Sequence, residues 1–276
     1  MNGKSNKIKE GSIQETMLGP LWARATYSKL YPDLLNDERA IQIIENVNYD
    51  FSEIRDFLGE WRAVGLMIRA RRFDEAAQKY IENHPYATVI NIGAGLDTTF
   101  SRIDNEMIKM YNIDLPEVIT YREELIEHNE RNQNIGSSVF EKEWMDQIEY
   151  TKEKGIFFIA GGFLYYFEEN NVSNFIDRLA EKYPNGEIIF DTVSSLAAKI
   201  VNKRAKKAES DLRFGMTIDD PHEQIPKWSD KIEIKECFVL GDRVSSSKNW
   251  KLKTRIMNKF SNWLKTAYII HLRFIE

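Results

Sequence analysis

The residues with the most chemistry to offer lie between Thr88 and Asp114. The run Thr88-Val89-Ile90-Asn91-Ile92 is apolar and β-branched and ends in Gly93-Ala94-Gly95; after a helix-compatible segment, Met110-Tyr111-Asn112-Ile113 forms a second apolar run closed by Asp114. Strand, turn, helix and strand in this order make one βαβ unit. Gly93 can take backbone angles closed to other residues, and Gly95 has no side chain to hold a ligand off the backbone. Asp114, about twenty residues on and at the end of the second strand, can accept both hydroxyls of a ribose. The unit therefore implies a bound nucleoside.

Two details bear on which nucleoside. The third glycine of the dinucleotide fingerprint is absent, because Thr98 and Thr99 stand where the helix would approach a pyrophosphate. Asp97 would set a negative charge beside those phosphates. A carboxylate there suits a ligand with no phosphates and a positive centre, and S-adenosylmethionine is such a ligand. Gly-x-Gly alone is shared by many enzymes. A NAD(P)-dependent oxidoreductase stays open at this level, as does a non-catalytic module that keeps the nucleoside pocket.

Composition narrows the class. The chain has 276 residues, 42% hydrophobic and 12% aromatic, enough for one sizeable core with an accessory cap. A net charge of −5 and a pI near 5.6 argue against a protein held on nucleic acid by overall charge. The single Cys237 excludes a disulfide framework within the chain, and His84, His128, His222 and His271 lack metal-ligand spacing. No apolar run approaches the roughly 20 residues that span a bilayer, and the first residues lack a signal-peptide apolar region. The expectation is a cytoplasmic protein without a membrane span or a metal, acting on a small molecule.

The elements that must position the central unit alternate along the chain. Residues 1–85 read as a helical cap: an apolar face from Met17 to Leu30, a second helix capped at Asn36-Asp37, and a long helix from Ser52 to His84. Residues 86–276 read as the core. Pro116 starts a helix running to about Asn129, Ser137–Phe140 is a candidate third strand, and Gly155–Gly162 is a buried fourth. A helix from about Glu168 to Tyr183 and a fifth strand, Glu187–Val193, follow. The alternation indicates an α/β protein with a mostly parallel, doubly wound sheet. From about 194 to 230 the rhythm breaks, as expected of a lid or substrate wall; its lysines from Lys199 to Lys207 read as a solvated face. Strands at Ile232–Leu240 and Ala267–Phe274 bracket an amphipathic helix, Trp250–Leu264, expected on the sheet, with a membrane surface as the alternative.

Several motifs together carry a resemblance. The central signature is Asn91-Ile92-Gly93-Ala94-Gly95-Leu96-Asp97-Thr98 followed by Asp114-Leu115-Pro116-Glu117. Around it stand Arg69-Ala70-Arg71-Arg72-Phe73-Asp74, Ala160-Gly161-Gly162-Phe163-Leu164-Tyr165-Tyr166-Phe167 and Phe190-Asp191-Thr192. In these stretches the sequence resembles the leucine carboxyl methyltransferase family, and within it the bacterial branch of polyketide O-methyltransferases. The resemblance implies a class I S-adenosylmethionine-dependent fold, Rossmann-like with seven strands. It also implies methyl transfer to a carboxyl, phenolic or enolic oxygen of a small molecule.

The resemblance also implies site residues. Gly93, Ala94 and Gly95 pass close to the cofactor, Asp114 holds the ribose with Leu115 beside it, and Arg69 pairs with the methionine carboxylate, for which a planar guanidinium fork is well shaped. Arg24 matches a second basic residue near that carboxylate. Ser138 stands where many relatives have an acidic residue on adenine, and Gly161 where carboxyl methyltransferases have Glu. The second departure favours a small-molecule acceptor over a protein C-terminal carboxylate, the alternative. A carboxylate acceptor needs no base; for a phenol or enol, His222 in the expected lid is the candidate base by its intrinsic pKa. Tyr165 and Tyr166 are the alternatives as hydrogen-bond partners of the acceptor.

Overall fold

The computed structural model describes residues 13–207, 213–242, 244 and 247–276. Three helices lead: α1 (Ile13–Leu30), α2 (Glu38–Asn46) and α3 (Ser52–Asn83). The Asp37 carboxylate accepts the Ala40 N–H at 2.9 Å and so fixes the start of α2. The long run of α3 breaks at Gly59 (φ 55°, ψ −177°), which joins two helical segments at a kink. Leu18, Leu21, Ala40, Ile43, Val64, Met67 and Ile68 close the core between these helices.

The other strands and helices follow in chain order as β1 (Thr88–Ile92), α4 (Thr99–Ile103), β2 (Lys109–Asp114), α5 (Pro116–Leu125), β3 (Asn132–Gly136), β4 (Ile156–Ala160), α6 (Glu169–Lys182) and β5 (Glu187–Val193). Then come α7 (Ser195–Lys207), the short α8 (Pro221–Gln224), β6 (Ile232–Val239), α9 (Leu252–Trp263) and β7 (Ala267–Phe274). Seven strands form one sheet in the order β3-β2-β1-β4-β5-β7-β6. The first five run parallel, and β7 is antiparallel to both β5 and β6. Every residue of β1 and β4 is buried, as expected for central strands covered on both faces. On one face Phe158, Phe175, Phe190, Phe274 and Trp144 pack together. On the other, Phe73, Ala77, Tyr80 and Ile81 of α3 cover Val89, Phe157 and Ile159. α3 thus reaches from the helical N-terminal cluster onto the sheet, and its middle carries Arg69 to the sheet's C-terminal edge.

Three sequence expectations are corrected. The third strand is Asn132–Gly136, not Ser137–Phe140, which forms a turn after it. β3 is an edge strand joined to β2 by amides, with Asn112 Nδ2 donating to Asn132 Oδ1 at 2.9 Å, so it carries little apolar pattern. The helix begun at Pro116 ends at Leu125 rather than near Asn129, because Ile126 turns extended and Asn129 pairs back with Asn132. Finally, α9 does not lay an apolar face on the sheet: Thr254 and Asn258 are its buried residues, and Leu252, Ile256, Phe260 and Trp263 face outward. Among the described residues no helix is long and apolar enough to cross a membrane, and no group of three or more His, Cys, Asp or Glu could hold a metal ion.

Candidate active site

The strand order reverses between β1 and β4, which places a crevice at the C-terminal ends of these strands, where open α/β sheets bind ligands. The turn after β1 forms its floor. Gly93 has φ 65°, and an added Cβ there would lie 2.3 Å from Cδ2 of Phe163, so glycine is demanded both by the left-handed angle and by the ring packed on it. The N–H groups of Gly93 and Ala94 donate to the Ile113 carbonyl at 2.9 and 3.2 Å and tie the turn to β2. Gly95 approaches Met17 of α1, and an added Cβ would come within 3.1 Å of its sulfur.

Asp114 closes β2 beside this turn. Its Oδ2 accepts the Gly95 N–H at 2.8 Å and its Oδ1 the Leu115 N–H at 2.8 Å, which hold the carboxylate in one orientation and leave further lone pairs on both oxygens. Burial pushes the Asp114 carboxyl above its usual range, against the two backbone donors. Leu115 is exposed at the mouth, and half-buried Ser138 follows the Ser137 N–H that donates to the Asp114 carbonyl at 2.8 Å. The topology therefore brings Gly93, Ala94, Gly95, Asp114, Leu115 and Ser138 together.

Across the crevice a second group is built from α3, β4 and β5. Arg69 donates from Nη1 to Asp191 Oδ2 at 3.1 Å, and the Gly162 N–H donates to Asp191 Oδ1 at 2.6 Å. The guanidinium rests against Gly162, where an added Cβ would lie 2.6 Å from Nη1. Burial works against the charge on Arg69, but Asp191 and Tyr165 outweigh it and hold the guanidinium firmly protonated. Gly161 gives room to Phe73, whose Cε2 would lie 2.7 Å from an added Cβ. Tyr165 is buried and Tyr166 lies at the edge; their rings are 4.9 Å apart and both meet Phe214, between α7 and α8, at 4.6 and 5.3 Å. Burial raises both phenols and keeps them neutral.

Arg24 and His222 stand apart from this group. Arg24 donates from Nε to Asp37 Oδ2 at 2.8 Å and from Nη2 to the Leu96 carbonyl at 3.0 Å, so it grips the turn from behind. It belongs to a buried ion network in which Arg102 bridges Asp37 at 2.7 Å and Asp74 at 2.6 Å. Burial opposes the charge on Asp97, but Arg24 and Arg102 outweigh it and bring the carboxyl down to about 2. His222 is exposed on α8, and among the described residues its ring makes no hydrogen bond or ion pair.

Two participants were given no role from the sequence, although Asp191 stood in one of the matched motifs. Asp191 was visible as a carboxylate interrupting the apolar run of β5. Arg122 gave no signal, since a lone arginine on a helix usually faces water. Here it is 1% exposed, donating from Nη1 to the carbonyls of Gly95 at 2.9 Å and Asp97 at 2.7 Å and from Nε to Asn134 at 3.2 Å. Burial brings its guanidinium down to about 10, against the pull of Asp97 and Asp114.

Comparison with known proteins bears on the family and the fold. The tetracenomycin polyketide synthesis O-methyltransferase of Streptomyces glaucescens is 28% identical over 215 residues, 78% of each chain. Among solved structures, a DUF574 family protein from Streptomyces avermitilis superposes with a TM-score of 0.61 at 11% identity, over 92% of this chain and 97% of that one. A plantazolicin methyltransferase solved with S-adenosylhomocysteine and a triazolic desmethylPZN analogue gives 0.51 at 11% identity, over 95% and 97%. Both likenesses speak for the class I methyltransferase fold. The sequence profile of the leucine carboxyl methyltransferase family matches residues 17–180, more than half of the chain, which therefore belongs to this family of S-adenosylmethionine-dependent methyltransferases.

Proposed function

We propose that the chain methylates an oxygen of a small, apolar, ring-bearing molecule, with Asp114, the Gly93–Gly95 turn and Arg69 as the cofactor contacts. The observation that carries the reading is the meeting of three chemically distinct groups at one crevice: an oriented carboxylate, a glycine turn closed to side chains, and a guanidinium held against Gly162. These fit S-adenosylmethionine, whose ribose needs an acceptor, whose adenosine needs close backbone approach, and whose carboxylate needs a cation. When bound, the cofactor supplies a methyl group on an already activated sulfonium. What the chain adds is alignment and exclusion of water.

The aromatic wall of Phe163, Tyr165, Tyr166 and Phe214 supports a flat, apolar acceptor, as does the name of the Streptomyces glaucescens relative. A carboxylate acceptor is ionised at neutral pH and needs no base. For a phenol or enol, the neutral hydroxyl of Tyr166, at the edge of this wall, is the one proposed to order the oxygen, while Tyr165 is buried against Arg69. On this reading helices α1 to α3 form a cap, and the described residues of the stretch 194–230, which exclude 208–212, form a wall over the acceptor.

Isothermal titration with S-adenosylmethionine, S-adenosylhomocysteine and NADH, on the native chain, Asp114→Ala and Arg69→Ala, tests the cofactor contacts. Both adenosyl ligands should bind the native chain and weaken by at least about tenfold in each variant, the order expected for one charge-assisted hydrogen bond. Unchanged binding in both variants overturns the assignment, and binding of NADH alone overturns the cofactor.

A further inference from the structure

α9 is built inside out. Its inner face is polar: Thr254 and Asn258 are buried, an added Cβ on Gly241 would meet Asn262 and Asn258, and Ser261 shares a short hydrogen bond with Thr266. At its start the Lys251 N–H is anchored on Glu60 of α3 at 2.7 Å. The outer face carries Leu252, Ile256, Phe260 and Trp263 in one helical stripe, exposed by 67%, 56%, 51% and 75%. Phe260 and Trp263 lie 5.9 Å apart and present a joined aromatic surface.

Charge decides what such a face meets. On a helical wheel Lys253 flanks the stripe on one side and Lys259 and Arg255 on the other, with Lys248, Lys251 and Lys265 at the ends. No Asp or Glu occurs between Asp242 and Glu276, although the whole chain carries a net charge of −5. α7, which leaves the same end of the sheet, repeats the combination. There the Ser194 N–H donates to the Thr266 carbonyl at 3.0 Å, and α7 exposes Leu196, Ile200 and Val201 among Lys199, Lys203 and Arg204.

We infer that α9 is a docking face for an anionic lipid surface. A cationic border on both sides of an uninterrupted apolar stripe matches headgroups that are negative everywhere around a hydrocarbon layer. An acidic protein would meet the lysines but would leave the stripe without a partner. Lysine stems can lie along the stripe with their ammonium groups at headgroup level, and an indole at the helix end suits the same depth. The helix lies in the interface and does not cross it. Such a face would hold the enzyme where apolar acceptors partition.

The test is co-sedimentation of the full chain with phosphatidylglycerol vesicles and with phosphatidylcholine vesicles, at low and at raised salt. Partition onto phosphatidylglycerol should exceed that onto phosphatidylcholine by at least roughly tenfold and fall with salt, since each cation near such a surface adds appreciably to binding. Both the Phe260→Ser/Trp263→Ser pair and the Lys253→Glu/Lys259→Glu pair should abolish it, while binding of S-adenosylmethionine stays unchanged. Brominated phosphatidylglycerol should quench tryptophan fluorescence in the native chain and not in Trp263→Phe. Equal sedimentation with both lipids, or binding indifferent to both pairs of substitutions, overturns the inference. So does a dimer, seen by sedimentation equilibrium without vesicle binding, that Phe260→Ser/Trp263→Ser dissolves.

Discussion

Replacing Gly93 by Ala tests whether the turn after β1, proposed above to meet the cofactor, is shaped by the ring packed on it. Two costs are expected. A residue with a Cβ at φ 65° carries about 1 kcal/mol of backbone strain. The added methyl would also stand 2.3, 2.5 and 3.0 Å from three carbons of Phe163, where ordinary contact begins near 3.4 Å. Forcing the ring aside costs about 1–3 kcal/mol, as overpacking does elsewhere. Gly93→Ala should therefore lose about 2–4 kcal/mol. Half-buried Phe163, changed to Ala, should lose about 2 kcal/mol, less than a fully buried ring. In the double variant the clash disappears and the strain remains, so its loss should fall short of the sum by about 1–3 kcal/mol. Urea unfolding followed by fluorescence reads the four corners of the cycle, and titration with S-adenosylmethionine reads the turn itself. Additivity within about 0.5 kcal/mol would refute the claim that this ring shapes the turn.

Three further outcomes follow from the site and the sheet. Arg122→Met leaves the carbonyls of Gly95 and Asp97 without their donor, so S-adenosylmethionine affinity should fall by about tenfold or more; equilibrium titration checks it, and unchanged affinity would show that the turn holds without the guanidinium. Glu187 accepts from Lys235 at 2.6 Å and lies 2.8 Å from Nε2 of His271. Burial alone would raise its carboxyl, but His271 and Lys235 outweigh it and bring it down to about 2 from 4.5. A lowered carboxyl stabilises the fold above pH 4.5 and loses that contribution, about 3 kcal/mol, as pH falls toward 2; Glu187→Gln should flatten this acid limb in denaturant titrations run across that range. His222→Ala should leave kcat with a phenolic acceptor unchanged, because the ring is exposed and without a partner among the described residues; a fall beyond about tenfold, within the range of general-base effects, would restore it as the base.

Where burial made a pattern, the fold was legible. β1, β4 and β5 are buried on both faces and read directly as apolar runs, and Asp37 and Pro116 announced their helices. β3 was misplaced because its order comes from amides: Asn91 donates to Asn112 at 3.4 Å, and Asn112 to Asn132 at 2.9 Å, across three neighbouring strands. A row of this kind is satisfied by partners distant in sequence, and periodicity cannot register it. The same reason hid Arg122, whose acceptors lie on a turn about 25 residues earlier. The amphipathic pattern of α9 was read correctly as a helix and wrongly as to direction, since a pattern names two faces without saying which one the protein keeps.

The place of β7 has a consequence for how the chain comes into being. β6 joins the sheet only through β7, and β5 has no neighbour on that side until β7 arrives. During synthesis the first five strands can assemble early, with the β5 edge left bare. The nascent protein must carry that edge while the stretch from Ser194 to Thr266 is made, a window in which two ribosomes on one message could pair their products edge to edge.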